Sequence, residues 1–140
     1  MKQIIVLCGI FILLGALILQ IPLEMINYDR RHAIMYYVNN AKEMAKQEGF
    51  YTDEILNELR KNIQEKMSLN SPDEIIIHES TTVTPKYRLN EFDEREMIYI
   101  KVMVPFHNIV AAPGLYGIDL DENRYFVVEE TTASERLGDF

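Results

Sequence analysis

The chain is poor in the residue types on which catalysis and nucleic-acid binding depend. It has one cysteine, Cys8, in 140 residues, so no intrachain disulfide can form. Cys8 sits inside an apolar run, where cysteine behaves as a small hydrophobe, and too early in that run to be a lipoprotein's acceptor. The six glycines build no phosphate-binding loop, and no Ser or Cys stands in a nucleophile motif. His32, His78 and His107 are far apart and lack i, i+4 partners, which leaves no recognisable zinc set. Adjacent acids such as Glu129 and Glu130 point to opposite faces of a strand and cannot act jointly on one bond. No catalytic residue, cofactor or metal is expected, and the chain is not read as an enzyme.

Basic residues are scarce in the distal half. Residues 73–140 hold fourteen acids against six bases, whereas residues 1–72 hold eight of each. The distal part therefore carries the whole net charge of −8. Little there can neutralise phosphates, which argues against nucleic acid as a partner. The acid surplus reads as solubility and mutual repulsion of an exposed domain. Asp119, Asp121, Asn123 and Glu130 fall at positions 1, 3, 5 and 12 of a calcium-loop spacing. The sixth position, which needs glycine, is Arg124, and Tyr125 to Val128 are too apolar for a loop. These acids read as an exposed turn.

Charge is missing altogether from Ile4 to Leu23, IIVLCGIFILLGALILQIPL, where Gln20 is the one polar side chain. A helix of that length is about 30 Å long, the thickness of a bilayer's hydrocarbon core. No small-residue cleavage site follows, since residues 16–25 read ALILQIPLEM, so the segment is expected to be kept as an anchor. Lys2 favours an inside N-terminus, against the pull of Arg30, Arg31 and Lys42, and the expected orientation is N-in, C-out. Pro22 removes one helical hydrogen bond and is expected to bend the rod without ending it.

Beyond Pro22, Ile34, Tyr37, Val38, Ala41, Met44 and Ala45 recur at spacings of three and four and predict one apolar stripe. Gly49 is the expected C-terminal stop. Thr52 should cap a second helix, with Asp53 and Glu54 on its positive end and Ile55, Leu59, Ile63 and Met67 as its apolar stripe. Arg60 and Lys61 fall on its wet side. Residues 74–83 are strand-like, and residues 85–93 read as a polar loop. Met97 to Val104 alternate, and the aliphatic set Ile98, Ile100, Val102 and Val104 predicts the central strand over the core. Residues 115–120 and 125–131 look like a hairpin, with a frayed tail from Ala133 to Phe140. His78 and His107 are expected at strand edges, and His32 beside Asp29. Tyr28 suits an interface anchor and Tyr37 suits packing between helices.

The fold class is therefore α+β: a long N-terminal helix, first membrane-spanning and then amphipathic, a second short helix, and an antiparallel sheet of three to four strands packed on them. The expected division is a membrane or filament-core segment over 1–23 and an extracytoplasmic domain over 24–140.

This order of parts, with Pro22 near the outer end of the apolar run, the stripe from Ile34 to Ala45 and the strands after Glu74, resembles the pilin superfamily. The short helix before the sheet and the tail Ser134-Glu135-Arg136 are similar to TadE-like minor pilins of tight-adherence systems. The resemblance implies a structural subunit of a bacterial or archaeal surface filament or secretion pseudopilus. Its partners would be the membrane and copies of itself or related subunits. Assembly would run through Ile4, Ile5, Leu7, Gly9, Phe11, Leu14, Gly15, Leu19 and Pro22, the two glycines letting helices approach closely. Ile34, Tyr37, Val38 and Ala41 would pack on Ile98, Ile100, Val102 and Val104. The acidic residue near the start of the family's mature helix has no counterpart here; Gln3, Ile4 and Ile5 stand there, which suggests a minor, initiating or non-canonical subunit, or an unrelated anchored protein. A single-pass accessory protein of an envelope secretion complex, and a secreted domain behind an unusual signal peptide, are the other readings.

Overall fold

A computed structural model describes residues 2–88, 96–117 and 124–138. Its first element is one helix, α1 (Lys2–Glu48), that runs through Pro22 without a break. At 1.5 Å per residue it is about 70 Å long. It is followed by α2 (Asp53–Met67), β1 (Ile76–Ile77), β2 (Met97–Pro105), the single-turn α3 (Phe106–Ile109) and β3 (Tyr125–Ala133). The three strands form one antiparallel sheet in the order β1-β2-β3, and the α+β architecture is as the sequence predicts.

The stripe periods decide what is buried. Ile34, Val38, Ala41 and Ala45 of α1 are shut away from solvent, with Tyr37 at the margin of the core. Met44, expected in the same stripe, is exposed. The small side chains Ala41 and Ala45 occupy the buried line here, and Met44 lies one residue off it. From α2 come Ile55, Leu56, Leu59, Ile63 and Met67. The sheet contributes Ile98, Ile100, Val102 and Val104, all fully buried. β2 is the central strand, and in its register Val102 faces Val128 and Val104 faces Phe126.

Glu129 and Glu130 do point to opposite faces. On the outer face, Glu129 pairs with Lys101 across the strands at 2.7 Å. The hydrogen bond from Lys101 holds the Glu129 carboxyl below its usual range, with the lysine's charge adding to it. On the inner face Glu130 reaches Lys42 of α1 at 3.1 Å.

Three expectations need correction. Of residues 74–83, only Ile76 and Ile77 form a strand. Pro72–Glu74 is a 3₁₀ turn closed by a Ser71–Glu74 capping box, and the His78 ring accepts the Ser80 amide. Such local side-chain bonds compete with the ladder. Thr81 and Thr82 then satisfy β2 through their hydroxyls, which accept from the Lys101 and Tyr99 amides. Second, Pro113–Tyr116 is a 3₁₀ turn and not the start of a strand, as a Pro-Gly pair favours; residues 118–123 lie outside the described residues. Third, the tail is docked through Leu137 and not frayed. Ser134 is fully buried and donates to the Lys86 carbonyl, and Arg88 bridges to Leu137.

That tail closes the end of α1. The Glu135 amide donates to the Lys46 carbonyl and Arg136 Nη1 to the Glu48 carbonyl, so two of the helix's last free carbonyls are satisfied. The Arg136 guanidinium also lies over the Phe50 and Tyr87 rings. Gly49 makes this junction possible. Its φ is +82°, and a Cβ there would run into the Lys86 carbonyl and crowd Ser134 Oγ at 3.0 Å. Gly49→Ala is expected to cost more than about 2 kcal/mol, whereas Gly114→Ala, with nothing within 4 Å, should leave stability unchanged. Urea titrations of both variants in the same detergent check this; equal midpoints would remove the assigned role of Gly49.

Among the described residues Tyr51 is the one fully buried aromatic of the core, and its hydroxyl has no hydrogen-bond partner there. Burial pushes its phenol well above the usual tyrosine range, and the charges of Glu130 and Glu43 add to the push. Tyr51→Phe removes a buried hydroxyl without orphaning another group. It is expected to leave stability equal or raise it by up to about 1 kcal/mol, measured by the same titration; a clear loss would mean that the hydroxyl is bonded.

Candidate assembly and membrane-facing helix

The first half of α1 projects from the body. Residues 2–26 are exposed apart from Gly15 and Leu23, which are half-buried. Ile4, Ile5, Leu7, Phe11, Leu14 and Leu19 all present about half or more of their surface. Each large aliphatic side chain left in water forgoes about 1.5–3 kcal/mol, so a run this long needs an apolar phase around it. By length and composition this helix can cross a membrane. Gly9 and Gly15 have nothing within 4 Å of where a Cβ would stand, so no packing among the described residues requires glycine there. Pro22 lies near the C-terminal end of the run and is exposed. The other named set, Ile34, Val38, Ala41 and the four β2 residues, meets in the core, with half-buried Tyr37 packed against it.

A ring of polar contacts marks where α1 enters the body. Asn27 is buried, and its Oδ1 accepts the Ala111 amide at 2.6 Å. One turn further, Arg30 Nη1 donates to the carbonyls of Asn108 and Ile109. Asn108 in turn donates to Glu74. On another side of the helix Lys66 of α2 meets Asp29 at 2.8 Å. The hydrogen bond to Asp29 raises the Lys66 pKa, and the carboxylate's charge adds to it. Because that pKa is raised, the pair's contribution is complete below the ordinary lysine value and is lost as pH rises through the raised one. Both groups are exposed, so the pair orients more than it stabilises.

Sequence reasoning missed Asn27 and Arg30. The helical phase held the signal for Asn27, which lies seven residues before Ile34 and so on the same stripe. Its partner, the Ala111 amide, has no mark in the sequence.

A shallow open groove runs up another side of α1 from Leu17 and Ile21 past Met25 and Tyr28 to His32 and Tyr36, with Lys66 on its rim. Tyr28 and Tyr36 remain 63% and 58% exposed. His32 is an exposed position of α1, three residues from Asp29, and stacks at a tilt on Tyr28 one turn away. His107 lies on α3 and not at a strand edge. Arg60 is partly covered and not fully on the wet side. Of the calcium-loop residues, Asp119, Asp121 and Asn123 lie outside the described residues, and Glu130 is engaged by Lys42. Among the described residues no three His, Cys, Asp or Glu side chains are grouped to hold a metal.

Asn27→Ala is expected to cost about 1–3 kcal/mol, because it leaves the Ala111 amide buried without its acceptor, while Asn27→Asp keeps an acceptor and should cost less. Amide hydrogen exchange at Ala111 provides the readout. It should accelerate in the alanine variant, and unchanged protection would show that this bond does not hold the junction.

No family model matches this chain, and no curated protein or solved structure matches it.

Proposed function

We propose that this protein is a pilin-like structural subunit of a bacterial or archaeal surface filament or secretion pseudopilus. It would be stored in the membrane through α1, N-terminus inside, and assemble through the same helix with copies of itself or related subunits. The observation that carries this reading is the continuity of α1: one unbroken helix is both the bare apolar rod of residues 2–26 and the buried spine of the body. A simple anchor works equally well behind a flexible linker. A rigid rod that orients the body is needed where many bodies must take the same attitude around a shared bundle of helices. Apolar surface stays covered in both states, by lipid before assembly and by neighbouring helices after it. The role is structural, with no catalytic step and no cofactor.

The alternative is a single-pass accessory or binding protein of an envelope secretion complex. It is favoured by the first turn of α1, which carries no acid, whereas the resemblance implies one close to the start of the helix.

The test is the intact mass of the chain in material sheared from the cell surface, beside washed membranes. A filament subunit appears in sheared material with its apolar segment still attached. An accessory protein appears in membranes alone, and that result would end the filament reading. Gly15→Leu refines the test, since a side chain there meets nothing in the single chain. It should abolish the sheared fraction and leave membrane insertion intact, whereas normal filaments from this variant would mean that helices do not pack through Gly15.

A further inference from the structure

The segment that Asn27 and Arg30 hold against α1 continues beyond α3 as residues 110–117, VAAPGLYG. No Asp, Glu, Lys or Arg stands between Lys101 and Asp119, although residues 73–140 hold fourteen acids. Ala112, Gly114 and Gly117 are exposed, and Val110, Ala111 and Pro113 are half-buried. Ala112 and Gly117 have φ of +54° and +65°, so the backbone turns tightly at both ends of the 3₁₀ turn.

The height of this turn along α1 follows from the Ala111–Asn27 hydrogen bond of 2.6 Å. Asn27 lies four residues beyond Leu23, or about 6 Å along the axis. The polar layer on each side of a bilayer's hydrocarbon core is about 5–8 Å deep. With Ile4–Leu23 across that core, Ala111 therefore lies in the headgroup layer. Arg30 and Arg31, seven and eight residues beyond Leu23 and so about 10–12 Å along the axis, stand just above that layer, with Lys66 paired to Asp29 beside them.

We propose that residues 110–117 form a second membrane contact, an uncharged turn resting in the lipid headgroup layer beside the emerging α1. The body is then held to the bilayer at two points, so its attitude to the membrane is set before any partner binds. This rests on the membrane-spanning reading of Ile4–Leu23 and is independent of the filament reading. The absence of charge has a physical use here: an acidic turn at this depth would be repelled by anionic lipid and would lose its hydration.

The experiment uses the full chain with Cys8→Ser and Gly114→Cys, carrying an environment-sensitive fluorophore, in phosphatidylcholine–phosphatidylglycerol vesicles. A side chain at Gly114 has open space around it, so the label does not disturb the body. Asp53→Cys, exposed at the start of α2 and far from the Asn27 junction, is the reference. The Gly114 label is expected to be quenched by nitroxide carried near the lipid headgroup, and several-fold less than the Asp53 label by iodide in the water. Equal iodide quenching at the two positions, on chains that float with the vesicles, would overturn the second contact and leave the anchor standing. So would shielding from both quenchers, which would place protein over the turn. A chain that fails to float would overturn the spanning reading itself and this proposal with it.

Discussion

Everything in this structure follows from a helix that cannot bury its own first half. An α-helix satisfies its backbone hydrogen bonds internally, so it can carry bare apolar side chains into lipid or into a bundle of like helices. Among the described residues the remainder of the chain leaves residues 2–26 exposed, apart from half-buried Gly15 and Leu23. The body gathers only around the half of α1 that alternates polar and apolar faces. The boundary between the two regimes falls at Asn27, where the first buried side chain of the helix is met by a backbone amide and not by another hydrophobe.

The buried half of α1 is held at both ends by contacts that differ in kind from the packing between them. At the lower end, Asn27 and Arg30 capture backbone groups of α3 and the turn after it. At the upper end, Gly49 lets the Lys86 loop and the Ser134–Arg136 tail close over the helix terminus. Between them, Ile34, Val38, Ala41 and Ala45 meet α2 and the sheet in a core that holds Tyr51, with the Lys42–Glu130 pair at its margin. The exposed ion pairs, Lys66–Asp29 and Lys101–Glu129, add little beside this burial. The helix is therefore a fixed axle of the body and not a tether. That is why its direction matters to a function read as assembly.

Local signals in the sequence were reliable wherever one rule acted alone. The Thr52 cap, the Gly49 stop and the aliphatic face of β2 each depend on a few neighbouring residues and on a period, and each stands where the sequence places it. The errors fall where two local preferences compete. Residues 74–83 are β-branched, yet the Ser71–Glu74 box and the His78–Ser80 turn claim the backbone first. Residues 134–138 look like a polar end, yet they carry the amide and guanidinium donors that the end of α1 lacks.

The sequence by itself determined the apolar rod, the two amphipathic stripes and the α+β class, because hydrophobic periodicity and the absence of charge over Ile4–Leu23 are properties of the chain alone. It also determined that the acid surplus would lie in the distal half. Only the tertiary structure decided which residues meet at the junctions: Asn27 with Ala111, Arg30 with Asn108 and Ile109, Gly49 with Lys86 and Ser134. In each pair at least one partner is a main-chain group, which every residue possesses. No pattern of side chains can mark which of them will be used, and the choice is made only when the sheet folds back onto α1.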